Sequence, residues 1–162
     1  FIRFNIKSYE WLGRDQNHDN MEKKFGMTTT EEKIGFSVKL GTSFDSALEQ
    51  VSEALKDQGF GVLTEIDVQA TLKEKLDVDF QPYRILGACN PSLAYEALGI
   101  MPQVGLLLPC NVTVAQISDE QVEISFLDPM LMMGITDDPS LQPVAEIAKE
   151  KLLRAAATLE EA

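Results

Sequence analysis

From residue 33 onward the chain alternates apolar with polar positions. Ile34, Phe36, Val38 and Leu40 fall on one side and Gly35, Ser37 and Lys39 on the other, which predicts a strand over 33–41. The period then changes. Phe44, Ala47, Leu48, Val51, Ala54 and Leu55 recur at helical spacing, so a helix with one buried stripe follows. Thr42 or Ser43 is placed to cap its start, and Gly59 is placed to end it. A second strand is predicted over 60–67. Val62, Thr64 and Ile66 lie on one side of it, and Leu63, Glu65 and Asp67 on the other. The segment 68–77 reads as a short helix carrying Val68, Leu72 and Leu76.

Residues 82–112 form the most apolar unit. Tyr83–Ala88 reads as a strand. Asn90 then caps a short helix whose first position is Pro91, where a missing amide costs nothing, and Gly99 is expected to end it. Val104–Leu108 is almost wholly apolar, which predicts a strand buried on both faces; Pro109 then marks an edge, bulge or bend. Val112 and Val114, then Val122, Ile124 and Phe126, flank Ser118–Gln121 in a hairpin pattern that Asp128-Pro129 stops. Met130–Met133 reads as an apolar connection used for packing. The last predicted element is a helix from about Ser140 to Leu159, with Leu141, Val144, Ala145, Ala148, Leu152, Ala155 and Leu159 as its stripe and Pro143 in its first turn. Few strands are separated by helices long enough for a crossover. The order predicts an α+β fold with a mostly antiparallel sheet.

Residues 1–26 differ from the rest. Ile2, Phe4 and Ile6 give a weak strand signal, a polar stretch follows, and Met27 resembles an ordinary start. The expected division is therefore an extension or leader over 1–26, with a docking arm through Phe4 and Trp11 as the other reading, and a single domain over 27–162. Residues 1–26 carry five basic and four acidic side chains, a net +1. With −12 on the whole chain, −13 falls on the remainder. A surface this acidic repels phosphate backbones, and no basic stripe offsets it, so nucleic acid is not an expected partner. No apolar run approaches the roughly 18 residues of a membrane helix, and no membrane partner is expected. Two cysteines are too few for a disulfide scaffold, and residues 1–7 lack the apolar core of a signal peptide. The expectation is a cytoplasmic protein with reduced thiols.

The candidate site residues are Cys89, Asn90, Cys110, Asn111, Tyr83 and Glu65. Each cysteine precedes an asparagine. Cys89 lies just before a helix start, where free amides and the helix dipole favour a thiolate. Two readings stay open for the pair: a thiol site for a ligand or soft metal, or two small buried hydrophobes. Cys89 and Cys110 are the only metal candidates, and two thiols make a poor zinc site. Glu65 and Asp67 are spaced for one strand face, as an acid/base pair or as surface charge with Asp67 capping the next helix. Tyr83 and Arg84 suit an anion, or Arg84 pairs with an acid. His18 is the single histidine, so Ser-His-Asp and Cys-His catalysis are not expected; Gly-x-Gly-x-x-Gly, phosphate-loop and His-Glu-x-x-His patterns do not occur. No cofactor is expected.

Three runs carry a resemblance: Gly59-Phe-Gly-Val-Leu-Thr-Glu-Ile-Asp67, then Tyr83-Arg-Ile-Leu-Gly-Ala-Cys-Asn-Pro91 with Leu93, Ala94 and Ala97-Leu98, then Gly105-Leu-Leu-Leu-Pro-Cys-Asn-Val112. In this order, over roughly residues 33–159, the chain resembles the domain-of-unknown-function 302 family. The resemblance implies a strand-helix-four-strands-helix layout like half of TATA-binding protein, with helices on one face of the sheet, and a homodimer. It brings no DNA binding and no catalytic residues. The function expected is a small-ligand or partner-binding module with a pocket around Cys89-Asn90 and Cys110-Asn111. A thiol-based redox or soft-metal protein is the first alternative. The second is a homodimeric assembly module using Met130, Met132 and Met133 as exposed apolar surface.

Overall fold

The computed structural model describes residues 30–32 and 34–160; the extension read over 1–26 lies outside them. The element order is β1 (Thr30–Glu32), β2 (Gly35–Leu40), α1 (Phe44–Asp57), β3 (Gly61–Asp67), α2 (Val68–Leu76), β4 (Tyr83–Cys89), α3 (Pro91–Ile100), a 3-10 helix (Pro102–Leu107), β5 (Cys110–Ser118), β6 (Gln121–Leu127), α4 (Leu131–Thr136), a short 3-10 turn (Pro139–Leu141) and α5 (Gln142–Glu160). The strands form one antiparallel sheet in the order β1-β2-β6-β5-β4-β3. This is the α+β architecture the pattern predicts.

Cross-strand register explains which face is buried. Phe36 pairs with Phe126 and Phe126 with Val112; Val38 pairs with Ile124 and Ile124 with Val114. The Phe36 and Phe126 rings stack 5.3 Å apart at 12°. All six side chains are buried, and α1 and α5 pack over them. Burying each of these large side chains is worth about 1.5–3 kcal/mol, so this face dominates the stability. α1 starts as its sequence demands, with the Ser43 hydroxyl accepting from the Ser46 amide at 3.3 Å. It stops before Gly59, whose φ of +81° favours glycine.

A second, smaller core lies beside the first. Ala97 of α3, Val104, Met132 of α4, Leu141 just before α5, and Val144 and Ala145 in its first turn are buried together. α5 serves both: Val144 and Ala145 belong to the small core, and Leu152, Leu153, Ala155, Ala156 and Leu159 to the large one.

Four local expectations are corrected. Ile34 precedes β2 and is 66% exposed, because the strand begins at Gly35. Gly99 does not end α3, which runs on to Ile100; Pro102, which cannot donate a helical amide bond, follows the cap at Met101. Val104–Leu108 is not a strand but mostly 3-10 helix between Pro102 and a cis Leu108–Pro109 bond. Only one side of it meets the small core, so Val104 is buried while Leu106 is 87% exposed. Met130–Met133 is not exposed surface. Met132 is buried in α4, and Met130 and Met133 pack against the small core.

Gly35 and Gly87 are the two tight points of the sheet: a Cβ on Gly35 would overlap the Phe126 carbonyl of β6, and Gly87 is hemmed in by side chains. A Cβ there would overlap the Thr64 Oγ1 of β3 and lie 2.7 Å from the Pro109 ring. Such overpacking costs typically 1–3 kcal/mol. Gly87→Ala is therefore expected to lower the urea midpoint by about that much with an unchanged slope. A variant as stable as the parent would show that Thr64 and Pro109 move aside freely.

Candidate functional site

β4 and β5 are neighbours, and Ala88 pairs with Cys110 across them. Cys89 is therefore one residue beyond the partner of Cys110. β4 ends at Cys89, because Asn90 and Pro91 begin α3: the Asn90 Oδ1 accepts from the Leu93 amide at 3.3 Å, and its backbone carbonyl accepts from the Ala94 amide at 2.9 Å. Gly59, at the end of α1, lies against the Asn90 side chain.

These segments border a partly open cavity of about 30 Å³ lined by Cys89, Asn90, Cys110, Phe60, Leu93, Leu108, Met132 and Ala148, among others. It sits at the seam of the two cores: Phe60, Ala88 and Cys110 come from the large core, Ala97, Met132 and Val144 from the small one. The walls are apolar. A drug-sized ligand needs roughly 300–1,000 Å³, so no such molecule fits here without opening the seam. A single water fits by volume but needs two or more polar partners.

Both thiols are held protonated. Burial pushes the Cys89 thiol above its ordinary value. Burial, and then the nearby charge of Cys89, push Cys110 up to about 11. The start of α3 is expected to lower the Cys89 pKa, whereas burial shifts it upward.

The structure brings Cys89, Asn90 and Cys110 together and places the other candidates elsewhere. Asn111 is exposed and pairs with Gly87, on the opposite side of β5 from Cys110. Tyr83 opens β4, half-buried, with its ring 6.2 Å from that of Phe80. Glu65 is exposed in β3 and accepts from the Arg84 Nε at 3.1 Å. Asp67 accepts from the Arg84 Nη2 at 2.9 Å and caps α2 through the Ala70 amide at 2.8 Å. The Arg84 guanidinium also lies 5.6 Å from the centre of the Phe44 ring. Arg84 thus ties the β3 edge to α1 through Nε and Nη2, while its Nη1 is buried without a hydrogen-bond partner among the described residues. Met132 and Phe60 are among the cavity residues that sequence reading missed. The usable signal for Met132 was its place in an apolar run, which does not distinguish packing from lining.

Residues 36–159 match a protein family described as a domain of unknown function, DUF302. A solved structure described as an uncharacterized conserved protein DUF302 from Bacillus stearothermophilus is 33% identical, with a TM-score of 0.69, over 80% of this chain and 98% of that one. No curated protein matches. Among the described residues no helix is long and apolar enough to cross a membrane.

The raised pKa of Cys110 fixes a pH dependence. The folded state holds this proton more tightly than the unfolded state, so the stability gained is complete below the ordinary value of 9.0 and is lost as pH rises towards about 11. The loss is at most on the order of 3 kcal/mol. Denaturant midpoints of the parent should fall more steeply across this window than those of Cys110→Ala. Parallel profiles would mean the thiol titrates normally.

Proposed function

The chain belongs to the DUF302 family, and for this member we propose a binding role without covalent chemistry, centred on the cavity at Cys89, Asn90 and Cys110. One observation carries the reading: two cysteines from different strands and a helix-capping asparagine line one apolar cavity. The raised thiol pKa values favour binding over thiol catalysis, since the thiolate is the nucleophile. The cavity volume restricts the ligand to something no larger than a small ion or a few atoms, unless the seam opens. The two free thiols support a reducing, cytoplasmic setting. Native mass spectrometry of protein purified from its own source tests this. An added mass is expected on the parent and not on Ala148→Val, which fills the cavity. Identical bare masses for both would sink the reading.

A partner-binding reading, as a homodimer, rests on a different feature. Gly61–Ile66 of β3 are exposed, and among the described residues β3 is an edge strand with one side unpaired. Pairing of two such edges would extend the sheet across a two-fold axis, with Leu63, 67% exposed, near the junction. A specific dimer should bury roughly 1,000 Å² or more in total. Sedimentation velocity at micromolar concentration should give a dimer for the parent and a monomer for Leu63→Lys. A monomeric parent refutes the dimer.

A further inference from the structure

We propose that Cys89, Cys110 and Met132 form a site for a single Cu(I) ion in the cavity between the two cores. The inference rests on the reading above that this cavity is the ligand site, and it names the ligand. Three residues with sulfur-bearing side chains, at the end of β4, the start of β5 and in α4, line the same space of about 30 Å³. Thiolate and thioether donors select soft cations, Cu(I) foremost.

The surroundings exclude the other common cations. Mg²⁺ and Ca²⁺ need oxygen ligands, and Mg²⁺ keeps several waters, for which an apolar cavity of this size has no room. The one side-chain oxygen at the rim, Asn90 Oδ1, is engaged in capping α3. Structural zinc requires four nitrogen, sulfur or oxygen donors. Among the described residues no group of three or more His, Cys, Asp or Glu is assembled to supply them. Cu(I) is satisfied by two or three sulfurs and sheds its water readily.

The charge balance is defined. One Cu⁺ enters, the two thiol protons leave to solvent, and the site passes from neutral to one net negative charge. No electron is transferred. That charge forms beside the first turn of α3, where the free amides and the positive end of the helix dipole favour an anion. Access is asymmetric. Cys89 is half-buried and Cys110 buried, so Cys89 meets the ion first and Cys110 and Met132 close around it.

The test is an anaerobic titration of the reduced protein with Cu(I) buffered by bicinchoninate, followed by X-ray absorption of the copper. One ion per chain with a sulfur-only shell is expected. Cys89→Ser and Cys110→Ala should lose this binding. Met132→Leu, which preserves volume and so the fold, should keep binding weakly with two sulfurs in the shell. Undiminished binding in Cys110→Ala, or a shell containing nitrogen or oxygen, overturns the site. If Cu(I) does not bind but the parent still carries a mass that Ala148→Val lacks, the copper assignment is wrong and the cavity reading stands. If both signals are absent, both readings fall.

Discussion

The pairing register between β4 and β5 is the constraint on which the rest depends. Ala88 opposite Cys110 places Leu86, Ala88, Cys110, Val112 and Val114 on the face covered by α1 and α5. A slip of one residue would turn every one of these outward and bring Asn111 and Thr113 into the core. Gly87 fixes the register sterically, since Thr64 and Pro109 close on it from the neighbouring strand and the entry to β5. The cavity is a by-product of the same alignment. Cys89 and Cys110 both border it because β4 ends and β5 begins at the same level of the sheet.

The electrostatics of the thiols show how magnitudes decide between opposed effects. The start of a helix favours a nearby negative charge by roughly 0.3–1 kcal/mol. Desolvation acts in the opposite sense; it is the cause of the upward shift at half-buried Cys89 and the larger of two causes at buried Cys110. The position of Cys89 before Asn90 therefore sets its direction and neighbours more than its ionisation.

Much of this was legible locally. Ser43, Asn90-Pro91 and the Ser118–Gln121 hairpin are read from short-range chemistry, and the structure uses each of them as the sequence implies. Val104–Leu108 was misread because an apolar run gives no period, and only the neighbours decide whether one side or two is buried. The cavity was half legible. Cys89, Asn90 and Cys110 belong to strand ends that could be located, whereas Phe60 and Met132 reach it from elements whose mutual packing has no local signature. Asn111, one residue from Cys110, falls on the far side because strand alternation separates neighbours.

The sharing of α5 by both cores has a consequence for synthesis. A ribosome releases residues 142–160 after every strand and every other described helix of the domain. Until they emerge, the sheet lacks one of its two covering helices, and the small core lacks Val144 and Ala145. Neither core can close on the nascent chain, so the domain must mature after α5 is free, with Phe36, Ile124 and Phe126 only partly covered in the interval. Unfinished apolar surface of this kind is what chaperones bind, and truncation within α5 would leave the chain in that state permanently.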